Sequence, residues 1–184
     1  LTYTTVRKVL VDGDPEAIKA NRHLVDDLEV MKELALRLME KRKKRGSIDF
    51  DLPEPQIVLD LQGEMVDIIR SERNLAHRII EEFMLAANEA VASHIEERGI
   101  PSLYRVHEPP DPTKLTDFRE FIFNFGYAFR MDGDRVDPHE LQRLIDEAEG
   151  KPEERMINEV LLRCMKQARY SHENLGHFGL AARC

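Results

Sequence analysis

Residues 70–108 read RSERNLAHRIIEEFMLAANEAVASHIEERGIPSLYRVHE, and this run decides the reading of the chain. The spacing predicts one helix from about Asn74 to Arg98, ended by Gly99. Ala76, Ile80, Phe83, Ala87, Val91 and His94 recur at the three-to-four spacing of a buried face. His77, Glu81, Met84 and Asn88 form a second line beside that face. Polar groups there are expected to be half buried and to need partners, in the protein or on a ligand. A His and a Glu four residues apart can also simply satisfy each other. Glu82 points about 100° from Glu81 and is expected in solvent.

Outward from this run, Thr2 or Thr4 caps a short helix closed by Gly13. Asp14 caps a long helix, with Pro15 at its first position and Gly46 as its stop. Leu24, Leu28, Met31, Ala35, Leu38 and Met39 are its apolar stripe. A strand is expected at Ser47–Phe50. A hairpin follows, 56–60 with 64–69 around Gln62-Gly63. Leu103–His107 reads as a short strand, and Pro109, Pro110 and Pro112 as an extended link. Three helices follow, at about 113–125, 137–150 and 152–170, with 131–137 as a turn-rich link that lacks calcium-loop spacing. The sum is α+β: helices, one of them long and buried, around a small, mostly antiparallel sheet.

Composition narrows the function classes. The 184 residues suit one domain or part of a larger one, and the net charge is −8. That sign opposes nucleic-acid binding through the overall field and demands a local arrangement. The one basic strip, Lys41 to Arg45, closes a helix, where cations complement the dipole, with contact to phosphates as the alternative. No stretch approaches a membrane span or a signal peptide. Cys164 reads as a small core residue, and two cysteines fit a reducing cytoplasm. Hydrolase elbows, Walker loops and dinucleotide motifs are absent. His172 and His177 lack the companions of a metal site and are read as non-ligands.

The run RNLAHRIIEEFMLAANEAVA, followed by GIPSLYRVHEPPDP, resembles the RNB catalytic domain of the ribonuclease II and ribonuclease R exoribonucleases. LTYTTV at 1–6, RGSIDFDLPE at 45–54 and MKQARYSHENLGHFGLA at 165–181 agree in order, the last being nearer the ribonuclease R branch. The resemblance covers the whole chain, 1–184, as part of that domain. It implies 3′→5′ hydrolysis of single-stranded RNA to nucleoside 5′-monophosphates by two Mg2+ ions. The family's metal-binding aspartates precede the LTY segment and its active-site arginine follows HFGL, so this chain is expected to bind no metal and to be inactive alone. The resemblance assigns Tyr3 to the RNA near its 3′ end, Phe50 to stacking on terminal bases and Glu81 to the terminal ribose. Stacking suits a sequence-independent enzyme. A carboxylate can accept from a 2′-OH that DNA lacks. His77 and Asn88 share the Glu81 line. Arg105 and His107 share a strand face, to line a nucleotide channel or to pair with Glu81 and its neighbours. His177 sits in a Gly-flanked loop open to a ligand. The expected partner is the RNA 3′ end, without DNA or membrane. A non-catalytic helical scaffold or interaction module of the same descent is the alternative.

Overall fold

The computed structural model describes residues 1–50, 55–60, 62–70 and 73–183. The last four residues of the RGSIDFDLPE segment and Cys184 lie outside these. The chain divides into two compact units, 1–40 with 53–87 and 41–52 with 88–184.

The first unit opens with α1 (Tyr3–Arg7), capped by the Thr2 hydroxyl, which accepts from Thr5 N–H at 3.2 Å. A π-helical turn (Lys8–Asp12) ends on Gly13 in the left-handed region. Asp14 caps α2 (Pro15–Ala20) with Pro at its first turn. The predicted continuous helix then breaks. The Asn21 side-chain amide donates to Ala17 O at 2.8 Å, competing with the backbone ladder. A 3-10 turn (Arg22–Leu24) restarts the chain as α3 (Val25–Arg45), which leaves this unit after Glu40. Val9, Leu10, Leu28, Ala35 and Ile79 form the core, so the predicted α3 stripe is the buried one.

The predicted hairpin is present as β1 (Pro55–Leu59) and β2 (Met65–Arg70), antiparallel and bulged between Val58 and Leu59. Asp60 Oδ1 accepts from the N–H of Gln62 and of Glu64 and holds the turn. Ile57 faces Ile68 and Leu59 faces Met65, an apolar face left 56–62% exposed.

α4 (Leu75–Glu97) starts in this unit and ends in the other. Its buried residues are Ala76, Ile79 and Glu82. The predicted inward face is therefore off by about one residue, 100° of the wheel: Val91 and His94 are exposed and Phe83 only partly buried. The reason lies in the sequence, where Ile79-Ile80 and Phe83 to Ala87 supply apolar side chains in several phases. The expected long buried helix is mostly a surface helix with one buried stripe.

The second unit holds the larger core: Leu115, Phe118 and Ile122 of α5 (Pro112–Phe123), Leu141, Leu144 and Ile145 of α6 (Pro138–Ala148), and Ile157, Leu161 and Cys164 of α7 (Glu154–Cys164). Asp111 and Asp137 cap α5 and α6, each with Pro at the first turn, so Pro112 starts a helix rather than belonging to a link. α7 stops at Cys164, short of the predicted 170. The chain then returns as β6 (Arg169–Ser171), which pairs antiparallel with β3 (Tyr104–Val106). The 131–137 link is a small hairpin, β4 (Met131–Asp132) with β5 (Arg135–Val136), turning at Asp-Gly-Asp. Residues 47–50 form no ladder. They are held by Ile48 N–H to Gly179 O and Asp49 N–H to the Gln142 side chain, each 2.8 Å. The described strands thus make three separate two-stranded sheets rather than one.

Candidate nucleic-acid interface

In the first unit the start of α4 gathers three of the expected residues. Asn74 caps the helix: its Oδ1 accepts from Ala76 N–H at 3.0 Å and His77 N–H at 3.4 Å. The same oxygen takes the His77 ring Nδ1 at 2.9 Å. Because that oxygen already accepts from the backbone, His77 Nδ1 is the donor, and the ring orientation is fixed. The Tyr3 ring stacks on His77 with centroids 4.1 Å apart and planes 24° apart. Tyr3 remains 45% exposed, so the two rings form a platform with open surface.

Glu81 lies one turn beyond His77 and does not pair with it. Its carboxylate takes a forked contact from Arg73: Nη2 to Oε1 at 2.8 Å, Nη2 to Oε2 at 3.0 Å and Nε to Oε2 at 3.1 Å. Arg73 was not among the residues expected from the sequence, although its place one residue before the cap was a usable signal. Glu82, expected in solvent, is only 3% exposed. The stripe through Ala76 and Ile79 carries it inward, so a Glu82 substitution perturbs packing and cannot serve as a neutral control.

In the second unit, Phe50 is half buried against the main core. Asn88 is exposed on α4. The Arg105 guanidinium lies over the Tyr170 ring, 5.3 Å from its centroid. This engages Arg105 within its own unit. His107 falls just past β3. Its Nδ1 accepts from Gly179 N–H at 3.1 Å, so Nε2 is the donor to Lys166 O at 2.7 Å. Its ring meets His177 edge-on at 5.0 Å. His177 Nδ1 accepts from Leu180 N–H at 3.3 Å and caps a 3-10 turn (Phe178–Leu180). Burial lowers both imidazoles, and the neighbouring His107 adds to the effect on His177, which falls to about 4. Both act as neutral hydrogen-bonding groups at pH 7.

The basic strip is mostly committed. Arg42 is buried and donates to Ser47 Oγ at 2.8 Å. Lys43 pairs with Asp146 at 2.8 Å, which raises its pKa. Arg45 forks onto Glu89 at 2.6 and 2.8 Å and donates to Leu180 O. These contacts tie 41–45 into the second unit, an outcome that helix-end charge alone did not signal. Among the described residues no three of His, Cys, Asp and Glu converge to hold a metal ion. No described helix is long and apolar enough to cross a membrane.

The RNB domain family model matches residues 1–184. Ribonuclease R of Aquifex aeolicus is 45% identical over 181 residues, 98% of this chain and 25% of that protein. Ribonuclease R 1 of Lactococcus lactis is 40% identical over 182 residues, 99% of this chain and 22% of that protein. The solved structure of Mycoplasma genitalium RNase R in complex with ribose-methylated single-stranded RNA superposes with a TM-score of 0.87 at 26% identity, covering 98% of this chain and 28% of that one. This chain spans about a quarter of the length of these relatives.

Proposed function

The chain belongs to the RNB domain family, and from that premise we propose that it is the part of a 3′→5′ exoribonuclease that holds the 3′ end of single-stranded RNA. The observation that carries this is the start of α4, where an exposed Tyr3–His77 platform and a fork-held Glu81 carboxylate lie within two helical turns. A base can stack on an aromatic face whatever its identity. A carboxylate can accept a ribose hydroxyl, which discriminates RNA from DNA. In the second unit Phe50 is an aromatic candidate of its own, with Asn88, Arg105 and His177 as secondary candidates, while His107 has both ring nitrogens engaged. The parent protein would work in the cytoplasm, releasing nucleoside 5′-monophosphates. Its Mg2+ would be held by aspartates other than those described here, polarising the scissile phosphate and water.

The test uses the full-length parent with matched RNA oligonucleotides, one all-ribose and one with a 2′-deoxy 3′-terminal nucleotide. Glu81→Ala should weaken handling of the all-ribose substrate by about 1.5–3 kcal/mol, the range for a hydrogen bond to a charged group, and relax the discrimination. Equal loss on both substrates would show Glu81 to be structural. The 184-residue chain alone, with magnesium and labelled RNA, is expected to be inactive, and robust metal-dependent shortening by it would sink the partial-site reading.

The exposed apolar face of the β1–β2 hairpin favours a second reading, an interaction module. A parent protein without nuclease activity that still binds protein partners through Ile57 and Ile68 would select it.

A further inference from the structure

We propose that Arg73 is a positioning residue that makes Glu81 usable against RNA; this rests on reading Glu81 as the ribose acceptor. A bare carboxylate facing a polyanion is repelled, and the chain already carries a net charge of −8. The Arg73 fork reaches both carboxylate oxygens, at 2.8–3.1 Å, and cancels that charge where it stands.

The fork also fixes direction. A glutamate on a helix surface samples several rotamers, and an acceptor must be held in one to select a hydroxyl. Both side chains are partly open, 32% for Arg73 and 40% for Glu81, so the pair is not ordered by burial alone, and the fork restricts the carboxylate. A carboxylate offers about four lone-pair sites. The fork leaves part of that capacity for an incoming hydroxyl. Arg73 immediately precedes the Asn74 cap, whose oxygen also orients His77. One helix start therefore sets both the stacking platform and the acceptor. Lysine, a point charge, would neutralise Glu81 but could not hold both oxygens. A mere exposed ion pair would contribute little and would not affect which sugar is accepted.

The experiment compares R73Q, R73K, E81A and the double variant R73Q/E81A in the full-length parent. The readouts are kcat/KM for the all-ribose and 3′-terminal 2′-deoxy oligonucleotides, and thermal melting. R73Q is expected to cut the ribose-over-deoxyribose preference about tenfold without moving the melt. R73K should recover only part of it, and the double variant should be no worse than E81A. If E81A loses the preference and R73Q keeps it, Arg73 is not a positioning residue while the reading of Glu81 stands. If E81A itself keeps the preference, the reading of Glu81 fails and the role of Arg73 fails with it. Additive losses in the double variant would mean that Arg73 acts on RNA directly, and full recovery by R73K would mean that charge alone suffices; either overturns the proposal.

Discussion

Two histidine-bearing clusters, one at the start of α4 and one just past β3, look alike in the residue types they gather. Each sets a histidine beside an aromatic ring and near an arginine. Their hydrogen bonds separate them. His77 is anchored through Nδ1 to Asn74, and its partner ring Tyr3 keeps open surface. His107 is engaged at both nitrogens by its own backbone, Gly179 N–H and Lys166 O, and His177 caps the turn beside it. A histidine engaged at both nitrogens has no hydrogen-bonding capacity left for a ligand, whereas one engaged once still has. The first cluster keeps open ring surface and hydrogen-bonding capacity, and the second holds residues 176–182 against the end of β3.

The largest effect should come from breaking the second cluster. His107→Ala removes the partners of Gly179 N–H and Lys166 O and is expected to destabilise by about 2–4 kcal/mol, about 1–3 kcal/mol for the part-buried Gly179 N–H left unsatisfied and about 1 kcal/mol for the exposed bond to Lys166 O. Urea unfolding of the parent or of this chain measures it; a loss below about 0.5 kcal/mol would erase the contrast.

Gly176→Ala should follow. Gly176 has φ +73°, and a Cβ there would lie 3.0 Å from Ala182 O. Backbone strain of this kind costs about 1–3 kcal/mol. A melting temperature equal to wild type would mean that residues 176–182 are free to rearrange.

Acid should act next, on the same cluster. The folded His177 pKa is about 4, below its ordinary 6.5, and His107 is shifted the same way. The unfolded chain then binds more protons between those values. Stability is fully present above pH 6.5 and is lost as pH falls toward 4. The rings are half exposed, so solvent screening limits the His177 contribution to about 1–2 kcal/mol. His177→Asn should flatten the slope of stability against pH in that window; an unchanged slope would assign acid sensitivity elsewhere.

The smallest structural effect belongs to the first cluster. His77→Ala should change stability by no more than about 1 kcal/mol, since it removes one hydrogen bond and one ring contact at a partly open site. A cost equal to that of His107→Ala would make both clusters structural.

Much of the local structure was legible because its causes are local. Asp14, Asn74 and Asp137 cap helices through their own side chains. Gly13, Gly46 and Gly99 take the positive φ that stops a helix. Asp60, Gln62 and Gly63 set a hairpin turn within a few residues. These are contests between neighbours in the chain, and residue types settle them. The α+β class followed from adding such elements, and the family from long runs of residues in order.

The rest needed partners distant in sequence. Which face of α4 turns inward depended on what packs there, because its apolar side chains allow more than one phase; hence Glu82 is inside and Glu81 outside. β6 exists because β3, more than 60 residues earlier, offers it a ladder. The basic strip was read as a helix-end cluster, yet Asp146, Glu89 and Leu180 take up its charges. The sequence by itself determined most helix starts, through their caps, and which side chains could carry chemistry. Only the tertiary structure decided which of those side chains were already committed, because hydrogen-bonding capacity is finite and its use by distant residues leaves no local trace.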